Sequence, residues 1–90
     1  MPTVHLPAVL ADHAAGNRRV EVAGATVAGL LAALDKAHPG VGRRVLDDRG
    51  VLRRHVNVFV NGESIRYLEG VDTPVGDGDE VQILPAVSGG

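Results

Sequence analysis

The sequence predicts an α+β fold in which one main helix packs across one face of a mixed sheet of four to five strands. Short runs that alternate apolar and polar residues occur near both ends of the chain and around residue 58, a pattern typical of half-buried strands. The clearest helical spacing of apolar residues lies at residues 27–37. Ninety residues, 44% of them apolar, are enough for one small core.

The first half of the chain is predicted to form two strands and the helix. Residues 3–6 alternate and predict a first strand, residues 8–19 hold a short helical turn and a Gly-Asn turn, and residues 20–22 predict a second strand. Thr26 is a good N-cap for the helix, which ends before Pro39. The helix presents one apolar face, made of Val27, Leu30, Leu31, Leu34 and Ala37.

The middle of the chain is predicted to hold a polar connection and then the strongest strand. Residues 41–54 are mostly polar, with a turn at residues 47–50. Residues 55–60 alternate, so that Phe59 faces away from the core. The predicted anchors of the connection are Val45, Leu46 and Leu52, and the inward-facing strand residues are Val56, Val58 and Val60.

The last third of the chain is predicted to add two strands. Asn61-Gly62 favours a type I′ turn, which returns the chain as a short strand over residues 64–66. A crossing loop and a tight turn at residues 77–80 lead to the last strand, residues 81–84, in which Leu84 faces outward. Pro85 has no backbone donor and is predicted to end the ladder.

The predicted element order is strand, strand, helix, strand, short strand, strand. This is the order of the β-grasp, or ubiquitin-like, architecture, in which the helix stripe and the inward strand residues are buried together. The first and last strands can then pair in parallel at the centre of the sheet. The sequence therefore predicts a β-grasp domain over residues 1–84 and a flexible C-terminal Gly-Gly tail over residues 85–90.

Composition and charge exclude several classes of function. The formal charge is −2 and aromatic residues make up 2% of the chain, which argues against nucleic-acid binding. The chain has no Cys and its four His lack ligand spacing, so no metal or bound cofactor is expected. No nucleophile and base stand in a recognisable pattern, which argues against an enzyme. Without a signal peptide or an apolar stretch of roughly 20 residues, we expect a cytoplasmic protein that does not bind membranes and is a monomer when free.

The tail carries the most distinctive chemistry. Gly89 and Gly90 have no Cβ, so the tip can enter a passage too narrow for other residues. The extended residues from Pro85 to Gly90 can reach about 20 Å, and the group presented at the end is the α-carboxylate of Gly90. The alternative interpretation is a frayed terminus without a function.

Two stretches of the sequence resemble a known family. Residues 75–90 read V-G-D-G-D-E-V-Q-I-L-P-A-V-S-G-G, which is similar to the C-terminal signature of the ThiS/MoaD family of ubiquitin-like sulfur carriers. The V-F-V-N-G stretch at residues 58–62, followed by Arg66, resembles the third strand and turn of that family. Within the family the chain is most similar to CysO-type carriers, because of its L-P-A-V-x-G-G ending and its long segment at residues 41–54.

The resemblance implies a carrier that is a substrate of other enzymes and is not itself a catalyst. An E1-like adenylating and sulfurtransferase enzyme would consume ATP to adenylate the Gly90 carboxylate, sulfur would displace AMP, and the resulting thiocarboxylate would donate sulfur to an acceptor synthase. The expected acceptor is of the cysteine synthase type. Residues expected to be recognised in the tail are Pro85, Ala86, Val87, Ser88 and Gly89.

Other readings of the tail stay open. The acceptor can instead belong to molybdopterin, thiazole or secondary-metabolite synthesis, such as that of a thiosugar. The protein can also be a ubiquitin-like modifier joined to target lysines through Gly90, or a β-grasp interaction domain whose tail is inert.

A docking surface is predicted on the outward face of the sheet. Phe59 and Leu84 are apolar residues that point outward on neighbouring strands near the root of the tail, and such a patch suits an activating enzyme or an acceptor. The alternative is a second small core, formed if residues 41–54 cover this face.

Overall fold

The computed structural model describes residues 1–85, which form a five-stranded mixed sheet with helices on one face. The strand order is β2-β1-β5-β3-β4. The first and last strands are parallel neighbours at the centre, while the other pairs are antiparallel, as the sequence predicts. The elements are β1 (Thr3–His5), α1 (Ala8–Ala11), β2 (Arg19–Glu21), α2 (Val27–Ala37), α3 (Gly42–Val45), β3 (Val56–Val60), β4 (Glu63–Ser64), two 3-10 turns (Ile65–Tyr67 and Gly70–Asp72) and β5 (Glu80–Pro85).

The main helix α2 begins at the predicted cap. The Thr26 hydroxyl accepts a hydrogen bond from the Gly29 backbone N–H at 3.1 Å, which satisfies one of the free donors of the first turn. His38 follows the helix with a non-helical backbone, so the helix ends at Ala37. The apolar stripe of α2 is buried against the inner face of the sheet, and its buried members are Val27, Leu30, Leu31 and Leu34.

The inner face of the sheet supplies the other half of the core. Residues on β3 and β5 alternate between buried and exposed positions, as expected for strands with one covered face. The predicted alternation of β3 is confirmed. The buried strand residues are Val4, Val56, Val58, Val60, Val81 and Ile83.

The short return strand was predicted one residue too late and too long. Asn61 and Gly62 both have positive φ, 50° and 88°, which agrees with the predicted type I′ turn. The register pairs Val60 with Glu63, so β4 starts directly after the turn. It ends at Ser64 because the Ser64 hydroxyl accepts a hydrogen bond from the Arg66 N–H and starts a 3-10 turn that buries Ile65.

Pro85 continues the last strand, so the prediction that this residue ends the ladder is wrong. Pro85 lies opposite Val56 on β3. The Asn61 N–H donates to the Glu80 carbonyl, and bonded and non-bonded pairs alternate along an antiparallel ladder. The Val56–Pro85 pair is therefore a non-bonded pair, in which the backbone nitrogen of Pro85 faces away from β3. The hydrogen that this nitrogen lacks is not needed for pairing with β3. On the other side of β5, paired β1 stops at His5, opposite Gln82.

The middle connection packs on the helix side of the sheet and contains a short helix that the sequence analysis missed. Val41 and Val45 at the ends of this stretch are fully buried in the main core. The predicted anchors Leu46 and Leu52 face each other in an isolated bridge and pack against the core. The Asp35 carboxylate also holds the connection by accepting hydrogen bonds from the backbone of two glycines, Gly40 and Gly42.

Candidate functional site

The base of the tail is the central strand of the sheet. β5 lies between β1 and β3, and its inward residues Val81 and Ile83 are 0% and 1% exposed. The predicted tail residues Ala86, Val87, Ser88, Gly89 and Gly90 lie outside the described residues. The structure therefore places the root of the tail, Pro85, at the end of the central strand, where it pairs with Val56 of β3.

Phe59 and Leu84 lie together on the outer face of the sheet. Phe59 is opposite Gln82 and Leu84 is opposite Asn57, so Phe59 and Leu84 are diagonal neighbours on adjacent strands. Diagonal side chains on one face are within reach of each other when one of them is aromatic. Leu84 is 38% exposed and Phe59 is half-buried. We call this pair the apolar patch.

The surroundings of the apolar patch are polar. The facing and flanking positions on the same side of the sheet are Asn57, Gln82, Ser64, His5 and Glu80. A small apolar centre with a polar rim is the usual composition of a transient protein interface. The alternative of a second core does not hold, because the buried residues of the 41–54 segment, Val45 among them, join the main core under α2.

A second feature lies at the same end of β5 but on the helix side. A cleft of about 620 Å³ opens there, and Pro85 forms part of its wall. Its floor is made of buried apolar side chains, Leu10, Val56 and Ile83. Its rim carries Arg43, Arg44 and Arg53. We call it the tail-root cleft.

This cleft was not predicted from the sequence, because its walls come from segments that are far apart in the chain. One signal was present: five of the nine Lys and Arg residues lie between positions 43 and 54.

Arg66, in contrast, has a structural role. Its guanidinium donates to the carbonyl of Val56 at 2.9 Å and to that of Arg53 at 3.3 Å, which ties the 3-10 turn to the start of β3.

The opposite end of β5 is acidic. The turn before the strand carries Asp77 and Asp79, and Glu80 starts the strand. The Asp79 carboxylate accepts hydrogen bonds from the Asn61 side-chain amide at 3.0 Å and from the Gly76 N–H at 2.8 Å. These two hydrogen bonds hold the pKa of Asp79 below its usual value, and the bond from Asn61 has the larger effect. The acid thus links the turn before β5 to the β3–β4 turn.

The lowered pKa of Asp79 predicts a loss of stability in acid. Its contribution is fully present above the ordinary aspartate pKa of about 4 and is lost as the pH falls through the lower folded-state value. Asp79→Asn should therefore destabilise the protein near neutral pH, and the deficit should shrink toward about pH 3. Urea unfolding at both pH values measures this. Asp48→Asn, at an exposed turn position, is the control; a deficit for Asp79→Asn that is constant with pH would contradict the assignment.

The described residues offer no other evident chemistry. Within residues 1–85, no group of three or more His, Cys, Asp or Glu side chains is placed to hold a metal ion. In the same part of the chain no helix is long and apolar enough to cross a bilayer. The functional geometry therefore consists of the end of β5, with the apolar patch on one face and the tail-root cleft on the other.

Comparison with known proteins identifies the family. Residues 4–90 match the sequence profile of the ThiS family. The chain belongs to the ThiS family. This ThiS-family chain is 39% identical over 90 residues to sulfur carrier protein CysO of Mycobacterium tuberculosis. The alignment covers 98% of this chain and 97% of that protein. It is also 46% identical over 79 residues to small archaeal modifier protein 1 of Haloferax volcanii, which covers 84% and 86%.

Solved structures confirm the fold of this ThiS-family chain. A chain in the crystal structure of the Amycolatopsis orientalis BexX/CysO complex superposes with a TM-score of 0.92 at 39% identity, and all of both chains is covered. The predicted β-grasp architecture is therefore confirmed, as is the predicted resemblance to CysO-type sulfur carriers.

Proposed function

We propose that the protein is a sulfur carrier, in which the carboxylate of Gly90 is converted to a thiocarboxylate that donates its sulfur to an acceptor enzyme. The observation that carries the proposal is the similarity to sulfur carrier protein CysO over 98% of the chain. The end of β5 supports the proposal. Pro85 belongs to this strand, so a partner enzyme that binds the folded domain also has the start of the tail at a defined place. The protein is a co-substrate in this scheme and not an enzyme.

The chemistry requires two steps at the Gly90 carboxylate. A carboxylate oxygen attacks the α-phosphorus of ATP and releases pyrophosphate, which gives an acyl-adenylate. Sulfide then attacks the acyl carbon, AMP leaves with the acyl oxygen that it was bonded to, and the product is the thiocarboxylate. ATP is consumed by the activating enzyme and is not bound by the carrier. Glycines at positions 89 and 90 suit these steps, because the enzyme must enclose the carboxylate closely and exclude water, which would hydrolyse the adenylate.

The partners follow from the same proposal. The first is an E1-like adenylating and sulfurtransferase enzyme, which holds residues 85–90. The second is an acceptor synthase. A cysteine synthase type is favoured, because the relatives that are 39% identical over 98% of the chain are CysO proteins. A CysO chain in complex with BexX is known from Amycolatopsis orientalis, so related carriers do form complexes with protein partners.

A reconstituted reaction tests the proposal. The protein is incubated with ATP, sulfide and the purified E1-like enzyme of the same organism, and its intact mass is measured. A gain equal to the replacement of one oxygen by sulfur is expected, and it should require ATP. An unchanged mass under conditions in which the enzyme hydrolyses ATP would overturn the carrier role.

The apolar patch is proposed to dock the activating enzyme. Leu84→Ser should raise the carrier's KM in thiocarboxylate formation by roughly tenfold, because a partly exposed leucine loses its burial at the interface. The measurement is the initial rate against carrier concentration. The matched control is Gln82→Ser, two residues earlier on the same face of β5, and its KM should stay near that of the wild type. Equal KM values for both variants would remove Leu84 from the interface.

A second candidate function is protein modification through Gly90. It is favoured by the 46% identity to small archaeal modifier protein 1 of Haloferax volcanii. In this case the activated carboxylate is attacked by a lysine amine of a target protein, which forms an isopeptide bond and releases AMP. Mass spectrometry of cell extracts distinguishes the two functions: peptides that carry the Gly89-Gly90 remnant on lysine support modification, and their absence beside a detectable thiocarboxylate supports the carrier alone.

A further inference from the structure

The tail-root cleft combines an apolar floor with a cationic rim. Leu10, Val56 and Ile83 on the floor are between 1% and 6% exposed. Val9 on the wall is 61% exposed, so apolar surface also reaches the mouth. A cleft of this kind fits a peptide segment with an apolar side chain and flanking anionic groups better than it fits a free anion.

One of the three rim arginines is held in place by a hydrogen bond, and none of the three is paired with a carboxylate in the described part of the chain. Within residues 1–85, no carboxylate lies within 4 Å of the guanidinium groups of Arg43, Arg44 or Arg53, since the three ion pairs found there involve other residues. The Arg53 Nε donates to the Arg43 carbonyl at 2.9 Å, which fixes this side chain along the rim. A guanidinium offers five donors, so most of its capacity for a carboxylate remains.

Charge is separated along β5. The acidic turn that contains Asp77 and Asp79 precedes the strand, and the tail-root cleft lies at its other end, roughly 16 Å away for a strand of this length. The net charge of the chain is −2, so the cationic end is a local feature and does not follow from an overall excess of bases. The tail leaves from this cationic end.

We propose that the tail-root cleft docks an acidic segment of the activating enzyme, with an apolar side chain on the floor and carboxylates paired to Arg43 and Arg44. Pro85 is both a wall of the cleft and the root of the tail, so an enzyme that holds residues 86–90 must approach the cleft. The inference rests on the proposed carrier function. It adds a second contact, on the helix side of the sheet, to the apolar patch on the outer face.

The double variant Arg43→Gln/Arg44→Gln tests the contact. It removes two exposed cations and leaves Arg53, which is tied to the backbone, in place. The initial rate of thiocarboxylate formation is measured against carrier concentration, with ATP, sulfide and the purified activating enzyme, at low and at high salt. We expect the KM at low salt to rise roughly tenfold with kcat unchanged, and the difference from wild type to shrink at high salt.

The matched control is Arg19→Gln/Lys36→Gln, which removes the same number of exposed charges away from the cleft; like Arg43 and Arg44, these two residues form none of the ion pairs found within residues 1–85. The KM of this control should be within about twofold of the wild-type value, because exposed charges far from a contact contribute little to binding. An equal rise in both double variants would assign the effect to net charge and overturn the proposal. A lower KM for the arginine variant would indicate that the chain's own tail carboxylate occupies the cleft, which would also overturn it.

A second variant tests the apolar part of the contact without touching charge. Val9→Ser should raise the KM several-fold, because Val9 is exposed in the free protein and would be covered in the complex. Wild-type KM values for both Val9→Ser and the arginine variant would overturn the docking site while leaving the carrier function intact. No thiocarboxylate from the wild-type protein would instead overturn the proposed function, and the docking site with it.

Discussion

Deletion of Gly90 is expected to abolish thiocarboxylate formation and to leave the folded domain intact. The deletion moves the terminal carboxylate back along the tail by roughly 3.5 Å, and displacements of even about 1 Å can cost 100-fold in a positioned reaction. We therefore expect a loss of more than roughly 100-fold in the rate, measured by intact mass after reaction with the activating enzyme. The midpoint of thermal unfolding should not change, because the buried core is formed by residues 4–83.

The control for this deletion is Ser88→Ala, which alters the tail but keeps its length. It should lose far less of the rate than the Gly90 deletion does, because it removes only the Ser88 hydroxyl from the recognised tail and keeps the chain length up to the Gly90 carboxylate. A Gly90 deletion that reacts as fast as Ser88→Ala would show that the activating enzyme does not read the position of the carboxylate, which contradicts the proposed role of the diglycine end.

Gly24→Ala is expected to destabilise the folded domain strongly. A Cβ at position 24 would lie 2.6 Å from both the Cα and the N of Leu30, which are backbone atoms of α2. Leu30 is fully buried against the sheet, so the helix must shift to make room. We expect a loss of about 3 kcal/mol in the free energy of unfolding, or roughly 15 °C in the midpoint, for a domain of this size.

The control for this substitution is Gly76→Ala. Nothing lies within 4 Å of the Cβ position at residue 76, and its backbone does not require glycine. This variant should be within about 0.5 kcal/mol of wild type, or slightly stabilised through the unfolded state. Similar losses for the two variants in urea unfolding would contradict the close approach of Gly24 to α2.

The parts of the fold that were predicted correctly depend on local signals. The stripe of α2, its Thr26 cap and the alternation in β3 are each set by residues within one element, and tertiary packing agrees with them. The Asn61-Gly62 turn is also local, because both positions adopt positive φ. These elements fix the order of the strands, and the order is enough to indicate the β-grasp architecture.

The parts that were missed depend on contacts between distant segments. Pro85 was expected to end β5, but its missing donor points to the side where β1 has already stopped, which no local pattern reveals. The tail-root cleft forms only where α1, the 41–54 segment and β5 come together in the fold. The cluster of arginines in the sequence therefore did not indicate that a cleft lies beside it. The apolar patch was predicted because Phe59 and Leu84 lie on strands whose pairing follows from the fold.

The central claim is that sulfur is carried on the carboxyl group of Gly90. Its most direct test is top-down fragmentation of the product formed with ATP, sulfide and the activating enzyme, which locates the added sulfur within the chain. Only fragments containing Gly90 are expected to carry the mass of one sulfur in place of one oxygen. The original mass should return once an acceptor has bonded to the sulfur and water has hydrolysed the acyl–sulfur bond. Sulfur on fragments that lack Gly90, or no sulfur on the chain at all, would contradict the claim.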